Sequence, residues 1–170
     1  MRLLFGVGLV ALLVTVPAAA TSVAGKGPGD GCLVVQDGKG IVTVTAKGTV
    51  FGRFLTGQVL IEDRDTSDGK EPVVSGAEKT RVRTETKTLH IGENVRFRAS
   101  GRFRIRLEAV YMDVSLVGRG SVVLSSTSED LPAFSDPGTF SVDAESFCQE
   151  GFQTLPDVPA RYVIGTQAAA

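Results

Sequence analysis

Residues 95–109 read Val-Arg-Phe-Arg-Ala-Ser-Gly-Arg-Phe-Arg-Ile-Arg-Leu-Glu-Ala. Apolar Val95, Phe97, Ala99, Phe103, Ile105 and Leu107 alternate with Arg96, Arg98, Arg102, Arg104 and Arg106. A helix would scatter these two sets around its circumference. A strand, whose successive side chains point to opposite faces, sorts them into one greasy side and one cationic side. The stretch therefore predicts a strand with a buried face and a charged face.

The same period of two runs outward through the chain. Val42, Val44, Ala46, Gly48, Val50, Gly52 and Phe54 fall on one face of a stretch whose other face carries Thr43, Thr45, Lys47, Thr49 and Arg53. Apolar spacing of the helical kind is nearly absent, and 20 glycines and 7 prolines supply turns. Strands are read at 32–36, 40–54, 57–63, 72–75, 79–90, 95–108, 110–117, 120–126, 138–143 and 161–165. Asp37-Gly38 suits a tight hairpin turn between the first two. The expected fold is all-β, an antiparallel β-sandwich or flattened β-barrel of about 8–10 strands, with long loops at 128–137 and 149–159. One weak repeat joins Gly38-Lys39-Gly40-Ile41-Val42-Thr43-Val44 to Gly118-Arg119-Gly120-Ser121-Val122-Val123-Leu124, which suggests related places in two packed sheets.

Ile91-Gly92-Glu93-Asn94 reads as a turn. With Gly92 and Glu93 at its tip, Val82 opposes Phe103, and Lys79, Arg81, Arg83 and Lys87 oppose Arg106, Arg104, Arg102 and Arg98. Like charges directly across a ladder are destabilising, so something should compensate. One reading makes Arg81, Arg83, Arg98, Arg102, Arg104 and Arg106 an anion-binding face for an acidic cell-wall polymer or lipid headgroups, because the guanidinium fork pairs bidentately with phosphate and carboxylate. The other pairs these arginines internally with acids such as Glu62, Asp63, Glu71 or Glu78, or leaves them solvated. An outer-membrane barrel would also use such alternation, but no tryptophan and only two tyrosines are present to build interfacial girdles.

The chain ends bound the compartment. Arg2 precedes an uncharged stretch from Leu3 to Val16, followed by Pro17-Ala18-Ala19-Ala20. These are the parts of a secretory signal peptide over residues 1–20, with an alternative cleavage after residue 24. The apolar stretch is shorter than the roughly 20 residues of a membrane-spanning helix. A flexible mature start at 21–31, a single β-domain at 32–165 and a disordered tail at 166–170 complete the division, with no transmembrane segment after cleavage. The protein is expected in the periplasm, the cell envelope or the extracellular space. Its two cysteines, Cys32 and Cys148, should be joined there. Removing the leader's one cation takes the net charge from −1 to −2, which gives no global attraction to nucleic acid.

Catalytic signals are sparse. His90 is the sole histidine, and no serine lies in a Gly-x-Ser-x-Gly setting. Two distant cysteines and one histidine cannot make a zinc site. Asp63, Asp65 and Asp68 before Gly69 give a weak calcium pattern, since the third acid comes one place late for an EF-hand loop. No cofactor is expected. The favoured function is a non-enzymatic exported β-module of the cell envelope or extracellular space, with the arginine-rich sheet face as the candidate contact for an anionic polymer or surface. The alternatives are a lipocalin-like barrel carrying a small apolar ligand among Phe97, Phe103 and Val82, and a secreted hydrolase using His90 with carboxylates.

Overall fold

The computed structural model describes residue 27 and residues 29–128, 131, 136–143 and 148–166. The leader at 1–20, the alternative cleavage site, residues 21–26 and residues 167–170 of the expected tail lie outside the described residues. Seven strands form: β1 Gly31–Asp63, β2 Val73–Ser75, β3 Lys79–Thr84, β4 Lys87–Ser125, β5 Thr139–Asp143, β6 Gln153–Thr154 and β7 Ala160–Ile164. No helix occurs among the described residues, and all seven strands belong to one open antiparallel sheet.

The count falls below the expected eight because strands read separately run together. β1 takes up the stretches read at 32–36, 40–54 and 57–63, and β4 those at 95–108, 110–117 and 120–126. The two expected turns between them are corrected by the pairing. Val35 pairs with Val114 and Gly40 with Ala109, so β4 accompanies β1 across Asp37, whose φ of 49° makes an irregularity within a strand and not a hairpin. Likewise Thr56 pairs with Glu93 and Gly57 with Gly92, which carries the chain past Asn94 at φ 53° without reversing it. The reversal lies instead at residues 85–86, and β3 pairs with 87–91, Arg81 opposite Leu89 and Val82 opposite Thr88. Val82 is 73% exposed and does not face Phe103. Alternation alone does not distinguish the two pairings; the partner of this part of β4 is β1, which sets Phe54 opposite Val95 and Leu60 opposite Leu89.

β1 and β4 are wound about each other. Ile105 pairs with Val44 on one side and with Ile61 on the other, so successive turns of the two-stranded ribbon are offset by 17 residues of β1. Leu116 lies likewise between Leu33 and Val50. The weak repeat is explained differently from the expectation: its two copies sit in adjacent antiparallel stretches of one sheet, with Val42 opposite Leu124 and Val44 opposite Val122.

One face of this sheet is buried along its length. Val42, Val44, Val50 and Phe54 of β1 join Val95, Phe97, Phe103, Ile105, Leu107, Met112, Val114 and Leu116 of β4 in a single core. With no helix or second sheet among the described residues to cover it, that face packs against itself, and the long strands must bend. Glycine marks one bend. Gly101 pairs with Gly48, Gly48 with Gly118, and Gly118 with Gly31, a row across four neighbouring stretches. A Cβ on Gly48 would lie 2.2 Å from the Val117 carbonyl oxygen, so the backbones approach there as only glycine permits. Cys32 and Cys148 stand at disulfide-bonding distance, Cα atoms 5.9 Å apart, and tie the start of β1 to the stretch after β5.

Gly48→Ala should cost about 2 kcal/mol or more, because the added methyl meets fixed backbone. Gly69→Ala, in an open loop at φ 66° with nothing within 4 Å, should cost about 1 kcal/mol from backbone strain alone. Urea midpoints of the two variants check the order. Reducing the cysteine pair, which closes 116 positions of chain, should remove on the order of 4 kcal/mol, read as a lowered urea midpoint in the presence of reductant.

Candidate anion-binding face

The alternation in β4 holds through the decisive stretch. Val95, Phe97, Ala99, Phe103, Ile105 and Leu107 are buried, and Arg96, Arg98, Arg102, Arg104 and Arg106 are all exposed on the opposite face. β3 does not follow this pattern, since all six of its residues are exposed. Of the six candidate anion-binding residues, Arg98, Arg102, Arg104 and Arg106 share one strand face. Arg81 and Arg83 lie on β3, where Leu89 and Leu60 intervene between Arg81 and Arg106 in the same cross-strand row. The expected juxtaposition of Arg81 with Arg104 and Arg83 with Arg102 is therefore replaced by β1 and β2 as the neighbours of β4.

Those neighbours give each arginine a distinct setting. Arg98 lies opposite Phe51 and stacks over its ring, 5.2 Å from the centroid. Arg96 faces Arg53, but Arg53 is taken by Asp113 at 2.6 Å. Arg104 lies between Thr45 and Glu62. Glu62 pairs instead with Lys87 at 3.2 Å and Arg64 at 3.8 Å. Arg106 pairs with Glu108 at 3.6 Å, and the Glu108 carboxylate is otherwise buried, accepting hydrogen bonds from Gln58 Nε2 and Ser128 Oγ. Among the described residues, Glu71 and Glu78 form no ion pair with this face, and Asp63 is turned inward and buried. Glu62, Asp63, Glu71 and Glu78 thus form no ion pair with the candidate arginines among the described residues; Arg106 is paired with Glu108 of its own strand, and Arg98, Arg102 and Arg104 are exposed, as the solvated alternative expects.

Lys47, Arg64 and Arg119 complete the face. Lys47 is paired in register with Arg102 on one side and with Arg119 on the other, and the Arg64 amide donates to the Arg102 carbonyl at 2.9 Å. The order Arg64, Arg102, Lys47, Arg119 thus runs across four adjacent stretches and lines a depression of about 400 Å³ floored by Ala46 and Phe103. No acidic residue lines it. Its flanks are held by Asp30, which accepts from Arg119 Nε at 2.9 Å, and by Glu62 beside Arg64. A larger depression of about 590 Å³ around Phe51 and Val34 is electrically different: Arg53 and Arg96 line it together with Asp37 and Asp113, so its lining carries no net charge.

The remaining candidates do not assemble. Asp63 accepts from the Asp65 amide, Asp65 from Ser67 Oγ and Asp68 from the Lys70 amide, so each carboxylate serves its own turn. No group of three His, Cys, Asp or Glu side chains that could hold a metal occurs among the described residues. The wall expected for an apolar ligand is not formed either, because Phe97 and Phe103 are packed in the core while Val82 faces solvent. His90 meets a hydroxyl and no carboxylate: its Nδ1 lies 3.2 Å from Thr80 Oγ1. No helix among the described residues is long and apolar enough to cross a membrane. Neither a family model, a curated protein nor a solved structure matches the chain.

Burial holds the His90 pKa below its ordinary value, so the folded state favours the neutral ring. The stability this brings is present above about pH 6.5 and is lost as pH falls through the lowered folded value. The urea midpoint of the protein relative to His90→Gln should therefore fall between about pH 7 and about pH 5. A difference constant over that window would refute the assignment.

Proposed function

We propose that this protein is an exported, non-enzymatic β-module of the cell envelope or extracellular space that contacts an anionic polymer or surface through the outer face of β4 and its neighbours. The observation that carries the reading is the row Arg64, Arg102, Lys47 and Arg119, lined up across four stretches with no acid in the depression between them. Like charges in direct register lower stability by some tenths of a kcal/mol per exposed pair. A fold that keeps them in one row is suited to a ligand that supplies the opposite charge. Arg104 and the Arg98–Phe51 stack extend the same face along β4.

Export rests on the leader-like residues 1–20 and gains support from a cysteine pair at bonding distance, which an oxidising compartment would keep joined. For the architecture, we infer a flattened barrel or sandwich. Support comes from the double-stranded ribbon of β1 and β4, whose successive turns pair side by side and bury one face in a single core, a winding of the jelly-roll kind. Such a rigid scaffold presents charged side chains from strands and not from loops.

Retention of the purified protein on polyphosphate and on anionic-lipid vesicles, at low and at high salt, tests the contact. Binding should weaken steeply with salt, and Arg98→Ala/Arg104→Ala should release the protein at markedly lower salt than the parent. Retention indifferent to salt, or unchanged in the double variant, would remove the proposal.

A further inference from the structure

We propose that the depression between Lys47 and Arg102 is a discrete site for a phosphate dianion, either inorganic phosphate or the terminal phosphate of a monoester. The inference depends on the proposed cationic face for its location, and goes beyond it in assigning one compact group of defined charge to one place. Four cations stand in the row; Asp30 partners Arg119 at one end, and Glu62 at the other is shared between Arg64 and Lys87. At least two positive charges are left, on Arg102 and Lys47 at the centre, neither of which has an ion-pair partner among the described residues. A phosphomonoester carries about −1.5 to −2 at neutral pH. A carboxylate or a phosphodiester link offers a single negative charge and would leave the row half compensated.

Geometry favours the same group. Arg102 and Lys47 rise from directly paired positions on adjacent strands, so their stems are on the order of 5 Å apart. An arginine fork and a lysine point charge at that separation can hold different oxygens of one tetrahedral anion. Asp30 engages Arg119 through Nε and fixes that side chain at the rim. The floor is the strand backbone at Phe103 and Ala46, whose side chains point into the core on the other face, so the anion would rest on rigid sheet. A volume of about 400 Å³ admits a phosphate with a small attached group.

Thermal unfolding of the whole purified protein, at constant ionic strength, tests the site. Inorganic phosphate and glycerol phosphate should each raise Tm saturably, by about 5–10 °C at a hundredfold excess over Kd, while acetate should not. Response to glycerol phosphate but not inorganic phosphate would assign the monoester as source; the reverse would assign the free ion. Lys47→Gln should abolish the rise, yet unfold no lower than the parent without phosphate, because it relieves two like-charge neighbours. Absence of the rise, an equal rise with acetate, or an undiminished rise in Lys47→Gln would overturn the site. Polymer retention by the same samples separates the two ideas. A lost phosphate response with retention intact defeats only the pocket, and lost retention with the response intact defeats only the extended face.

Discussion

The middle of β1 is hydrogen-bonded on both edges to the same strand. Between Ile41 and Asp63, nearly every residue has one partner in the first half of β4 and another in the second. This double pairing means that neither strand can shift without breaking both ladders, and a slip by one residue would also exchange the buried and exposed faces along more than thirty positions. Register is therefore held by two constraints at once. The glycine row follows from it, because four stretches can share one bend only if each places a residue without a side chain at the crease. The cationic row follows in part: Lys47, Arg102 and Arg119 each adjoin one of these glycines, while Arg64 joins the row just past the end of β1.

How legible this was depended on the range of the interaction. Side-chain alternation is local, so the facing of Phe97, Phe103 and Ile105 against Arg96, Arg102 and Arg104 could be read directly from residues 95–108. Strand identity was equally local. Pairing is not, and the reading of Gly92 and Glu93 as a turn shows why: Gly and Asn permit a reversal but also permit a bulge, and only the presence of β1 alongside decides between them. Val82 sits between Arg81 and Arg83 just as Phe103 sits between Arg102 and Arg104, so local alternation cannot tell the exposed residue from the buried one; the register does.

Of the cations around Arg102, Lys47 and Arg119 are marked in the sequence and Arg64 is not. Each of three cations adjoins a crease glycine, in the order Lys47-Gly48 on β1 and Gly101-Arg102 and Gly118-Arg119 on β4. The reversed order on β4 is what antiparallel neighbours require for the charges to align. Glycines also recur at the offset of the wound ribbon, Gly31 with Gly48, Gly40 with Gly57 and Gly101 with Gly118. The recurrence that drew attention, Gly38-Lys39-Gly40 with Gly118-Arg119-Gly120, has a different spacing and joins stretches that merely lie side by side.

The winding also sets an order of events. Most contacts in the sheet join residues far apart in the chain, and topologies of this kind close slowly because loop entropy is lost before any ladder rewards it. A ribosome or a translocation channel delivers β1 first, with its valines and threonines alternating and nothing yet to pair with. Until Lys87 and the residues after it have emerged, a 33-residue strand waits with both edges bare, and its second edge stays open until Ser125 follows. During that interval the segment is a template for any other extended chain.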